Sequence, residues 1–87
     1  METKNDFKII PNPLSSNVNV LLTLASPTDV CLAIFNNHGQ SVGTLINGYV
    51  NAGQYNMIWN KNNKEKGTYY FSLKQGSGFS MEKVELY

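Results

Sequence analysis

Arginine is absent from this chain, cysteine and histidine occur once each, and no apolar run approaches the length of a membrane span. Each shortage excludes something. Without arginine there is no planar guanidinium fork for phosphate. Seven lysines against six acids leave a net charge of +1 with no basic stripe, so no nucleic-acid surface is expected. The densest charge run, Lys61 to Lys66, reads as a solvated loop. A lone Cys31 cannot close an intrachain disulfide, which leaves the redox compartment open. His38 has no Cys, Asp or Glu at ligand spacing, so no zinc site is expected. A transmembrane helix needs about 20 apolar residues, and nothing here comes near that.

The same poverty extends to catalytic groups. Cys31 falls in a strand pattern and His38 in a turn, which argues against a nucleophile–base pair. Asp29, Glu65, Glu82 and Glu85 are isolated, and a glycosidase needs two opposed carboxylates. Ser77 sits between Gly76 and Gly78 but lacks the strand-to-helix elbow of the hydrolases, so it reads as turn chemistry. No catalytic site, metal or cofactor is expected.

What the chain has is alternation, in short segments bounded by Gly, Asn, Pro and Ser. Phe7 to Ile10 opens as a short strand stopped by Pro11-Asn12-Pro13, which places it at an edge or a crossing. Val18, Val20, Leu22 and Leu24 face one way along the next strand. Val30, Leu32 and Ile34 come after them, with Cys31, Ala33 and Phe35 on the opposite face. Asn36-Asn37-His38-Gly39 is a turn in which Gly39 takes positive φ. Ser41 to Ile46 forms a strand, and Asn47-Gly48 reads as a tight turn. Tyr55, Met57 and Trp59 share a face, as do Tyr69, Phe71 and Leu73 after Gly67. Gln75-Gly76-Ser77-Gly78 is a hairpin loop.

The last strand, Phe79 to Tyr87, changes phase between Phe79/Met81 and Val84/Leu86, and a bulge near Glu82-Lys83 would account for it. Seven short strands at this spacing predict one all-β, immunoglobulin-like antiparallel sandwich over residues 7–87. Residues 1–6 are polar, with no apolar leader core, and read as a linker or cloning remnant. The expected core is Val20, Leu22, Leu32, Ile34, Met57, Trp59, Tyr69, Phe71 and Leu73. Of the aromatics, Tyr49 and Tyr70 fall off the core phase and are the surface candidates.

Taken in order, Pro11-Asn12-Pro13, the run Val30 to Val42 around Gly39, Ala52-Gly53 with Tyr55, Met57 and Trp59, Gly67-Thr68-Tyr69-Tyr70-Phe71, then Gly78 and Lys83 form a familiar series. The series resembles the C-terminal sorting domain of cargo exported by the type IX secretion system of Bacteroidetes. It is also similar to the Ig-like domain of the flagellar hook-capping protein.

The resemblance implies an address at the end of a larger secreted protein. That address is read by the outer-membrane export and sorting machinery, passes the periplasm, and brings its cargo to the cell surface or medium. Pro11, Asn12 and Pro13 match the family's opening motif and Gly39 its turn glycine. Gly67 matches the glycine before its Tyr strand, and Gly78 and Lys83 its terminal motif. Val84 and Leu86 complete the terminal strand in which the family's export determinant lies. An accessory Ig-like module that binds carbohydrate or protein is the alternative, and a structural module in a larger assembly is the third reading. A glycan-binding screen and the parent gene discriminate them.

Overall fold

The computed structural model describes residues 5–11, 17–60 and 66–86. These form seven strands: β1 (Asp6–Pro11), β2 (Asn17–Leu24), β3 (Thr28–Asn36), β4 (Ser41–Val50), β5 (Gly53–Asn60), β6 (Gly67–Gln75) and β7 (Gly78–Leu86). They assemble into a three-stranded sheet ordered β1-β2-β5 and a four-stranded sheet ordered β4-β3-β6-β7, with every pairing antiparallel.

Alternation decides the layering. Val18, Val20, Leu22 and Leu24 of β2 are buried, and so are Val30, Leu32 and Ile34 of β3 and Tyr69, Phe71 and Leu73 of β6. Two sheets with one apolar face each must press those faces together. Trp59 of β5 ties the layers: its ring lies 5.6 Å from Tyr69 and 5.7 Å from Phe71, the latter edge-on at 87°. Such aromatic geometry adds about 0.5–1.5 kcal/mol per pair beyond burial. The immunoglobulin-like sandwich forms as expected, and eight of the nine anticipated core residues are buried. Met57 is only partly buried, packed against the cluster beside Tyr55.

Two expectations fail. Asn47-Gly48 is not a turn. Asn47 pairs with Cys31 and Gly48 with Val30, so β4 continues to Val50 and the chain crosses between sheets at Asn51-Ala52. The Tyr55 hydroxyl donates to the Asn51 carbonyl at 2.7 Å and pins that crossing. The partner strand overrode the local turn preference.

The bulge in the last strand is also absent. β6 and β7 pair without a break from Gly67↔Leu86 to Gln75↔Gly78. The register instead shifts in the β3–β4 pair, between Leu32 and Ala33 and between Ile34 and Phe35, leaving Leu45 and Val42 as the extra residues on β4. An extra residue reverses the facing of the strand beyond it. Val42, Leu45 and Ile46 thereby all pack against the core from a strand whose sequence does not alternate.

Candidate recognition face

An unbroken β7 has two chemically different faces. Val84 and Leu86 point inward and are buried. Phe79, Met81, Lys83 and Glu85 therefore point outward, and Phe79 and Met81 remain 61% and 50% exposed. On the same outer face, β6 offers Thr68, Tyr70, Ser72 and Lys74, and β3 offers Cys31, Ala33 and Phe35. The register sets Phe35 beside Tyr70, Tyr70 beside Lys83, Ser72 beside Met81 and Lys74 beside Phe79. Phe35, Tyr70 and Met81 wall a shallow depression of about 390 Å³ whose rim is the Asn36–Gly39 turn.

That turn is held by one side chain. Asn36 Oδ1 accepts from the His38 and Gln40 amides at 2.9 and 3.0 Å, and Asn36 Nδ2 donates to Gln40 Oε1 at 3.0 Å. The Gly39 amide donates to the Asn36 carbonyl, and the Asn36 amide to that of Gln40. Asn is suited to this because its short side chain replaces a backbone turn partner. Gly39 has φ +81, the left-handed region where a Cβ is strained, although no atom would meet that Cβ within 4 Å. Asn36 has no place among the residues expected to matter. The only signal for it is that Asn, three positions before a turn glycine, caps turns well.

The expected motif residues gather mostly at one end of the sandwich. Gly67 pairs with Leu86, and Asn36, at the start of the Gly39 turn, pairs with Tyr69. In the other sheet Pro11 pairs with Val18, which pairs with Trp59, the residue that stacks on Tyr69. Pro11, Gly39, Gly67, Lys83, Val84 and Leu86 thus share an end. Gly78 lies at the other, where it opens β7 opposite Gln75. A Cβ there would come within 3.2 Å of the Gln75 carbonyl. Asn12 and Pro13 lie outside the described residues.

Exposure separates these positions. Lys83 and Gly39 are open to a partner, whereas Val84 and Leu86, at 6% and 5%, act through the core. Glu85 accepts from the Thr68 hydroxyl at 2.7 Å and continues the outer ladder. Lys74 and Lys83 make no ion pair among the described residues. The surface aromatics behave as anticipated in part. Tyr49 is 69% exposed and Tyr70 half-buried, while Trp59 and Tyr69 are buried in the core and Tyr55 packs against it.

Nothing among the described residues groups three or more metal-ligating side chains. No described helix is long and apolar enough to cross a membrane.

The chain matches the model of the secretion system C-terminal sorting domain over residues 8–86, nearly its whole length, and belongs to that family of type IX sorting signals. No curated protein matches it, and neither does any solved structure.

Proposed function

We propose, with that membership as premise, that this domain is a non-catalytic address. It carries an upstream cargo through the type IX machinery, by way of the periplasm, to the cell surface or medium. The observation that carries the reading is the match across residues 8–86. The physical arrangement suits the task. Among the described residues β7 is an edge strand of its sheet, and edges are where extended segments of other proteins add. The motif residues Gly39 and Lys83, distant in sequence, flank one depression on the outer sheet face. Gly67, Val84 and Leu86 hold the strand that presents it. Recognition of this kind needs no reacting group.

The test is a reporter with a secretion leader at its front and this domain at its end, expressed in a host with type IX export. The fusion should reach the cell surface or medium, and the same reporter without the domain should accumulate in the periplasm. Equal display of both reporters would overturn the reading.

A further inference from the structure

We propose that the mouth of the sandwich between the start of β1 and the first half of β7 binds calcium, held by Gln75, Ser80 and Glu82 of one sheet and Asp6 of the other. The site is independent of the sorting reading. It lies on the opposite side of β7 from the depression walled by Phe35, Tyr70 and Met81.

The register of β7 sets the site. Val84 and Leu86 point into the core, so Glu82 and Ser80, at alternate positions before them, stand on the same inner side. Gln75 is in phase with the buried Tyr69, Phe71 and Leu73 of β6. A carboxylate, a hydroxyl and a carboxamide thus take up the inner face where apolar side chains end. β1 and β7, edge strands of the two sheets, meet here. Asn5, Asp6 and Phe7 form the other wall, and the cavity between has a volume of about 160 Å³.

One atom at this cavity lacks what it needs. Gln75 Oε1 is wholly buried and has no hydrogen-bond partner among the described residues. An unmet buried acceptor weakens the fold unless a ligand satisfies it. The Glu82 carboxylate and the Ser80 hydroxyl are likewise without a side-chain hydrogen bond or ion pair among the described residues. Asp6 Oδ1 accepts from the Phe7 amide at 3.0 Å. Its Oδ2 lies 3.7 Å from Lys8 Nζ, and with both side chains more than half exposed the pair is weak. Asn5 Oδ1 accepts from the Ala25 amide at 2.8 Å, which ties the start of the chain to the turn after β2 and leaves Asn5 out of the ligand set.

The donor set chooses the ion. Two carboxylates, a carboxamide and a hydroxyl are all hard oxygens, and no His or Cys lines the cavity, which disfavours zinc. The described residues hold no group of three His, Cys, Asp or Glu side chains, so neutral oxygens and water complete this set. Calcium takes about 6–8 oxygens in flexible geometry, whereas magnesium demands a near-ideal octahedron that side chains from two sheets do not preset. Two carboxylates place the affinity with that of extracellular modules, at about 0.1–1 mM. No spacing in the sequence marks the site, since Asp6 and Glu82 come from opposite ends of the chain.

The test uses the 87-residue chain, stripped with EDTA and labelled with 15N, titrated with CaCl2 against an NaCl series of matched ionic strength. Calcium at about 10 mM should raise the thermal midpoint by at least about 4 °C over sodium. It should shift the amides of Asp6, Gln75, Ser80 and Glu82. Glu82→Gln should weaken binding at least ten-fold, while Glu85→Gln, on the outer face, should leave it unchanged. Gln75→Leu, which removes the unmet acceptor, should raise the midpoint of the calcium-free chain and weaken calcium at least three-fold. A sodium series that matches calcium, shifts confined to other residues, or a Glu82→Gln variant that binds as tightly as the parent overturns the inference. So does magnesium binding as tightly as calcium. None of these readouts depends on export, so failure here leaves the sorting reading standing.

Discussion

At the scale of single residues, one glycine that carries no turn has a steric role in the core. Gly43 lies in β4 against the indole of Trp59, and a Cβ there would sit 3.1 Å from Trp59 Nε1 and 3.7 Å from Ile34 Cδ1. In a strand, alanine is normally better than glycine by about 0.5–1 kcal/mol, because glycine loses more freedom on folding. Overpacking a filled core costs about 1–3 kcal/mol. Trp59 cannot easily give way, being packed against both Tyr69 and Phe71. The overpacking wins: Gly43→Ala should lower stability by about 1–2 kcal/mol in urea unfolding. The loss should shrink when Trp59 is Phe, whose ring lacks the clashing nitrogen, and a double-mutant cycle reads that coupling. An unchanged or raised midpoint for Gly43→Ala would refute the assignment. No periodicity in the sequence marks this position, since its meaning comes from a tryptophan on another strand and sheet.

At the scale of elements, β7 offers the clearest contrast between its two faces. Leu86→Ala removes a buried side chain and should cost about 2–3 kcal/mol, toward the lower end for buried leucine because it lies at a sheet edge. Phe79→Ser, on the same strand but outside, should change stability by less than about 0.5 kcal/mol. Equal losses from the two, measured by thermal or urea denaturation, would mean the strand does not present opposite faces.

The β2, β3 and β6 strands are legible in the sequence because each has an apolar residue at every second position, and those positions form one fully buried face, even though Leu21 in β2 and Ala33 and Phe35 in β3 are apolar on the other. β4 and β7 are not, for related reasons. In β4 the apolar residues Val42, Leu45 and Ile46 break alternation, and two register shifts explain how they pack. A phase change in sequence can mean either a bulge or apolar residues left outside, and only the pairing partner distinguishes them. β7 is the second case. The outer face is hidden from a sequence reading on that account, although the phase of Tyr70 alone places that residue on it. The Asn47-Gly48 dipeptide misleads because its neighbours Cys31 and Val30 supply a strand partner that a local reading cannot see.

At the scale of the whole molecule, one aromatic joint holds two sheets that no disulfide links. Cys31 is a free thiol, half-buried on the outer face. A chain of 87 residues carries about 4–13 kcal/mol of stability at typical values per residue. Trp59→Ala should remove about 3–5 kcal/mol of it. The expected result is a large drop in thermal midpoint or loss of dispersed amide resonances, and a midpoint within a degree or two of the parent would contradict the joint.

The strand order also acts in time. β3 pairs with β6, far along the chain, and β7, which follows β6, contributes Val84 and Leu86 to the core. Contacts distant in sequence, as between β3 and β6 and between β2 and β5, slow folding relative to hairpins of consecutive strands. A nascent chain that stops before Val84 lacks both the final core residues and the end of the strand that displays Lys83. A truncation before Val84 therefore removes part of the outer face together with part of the core, so loss of the face and loss of the fold arrive in one step.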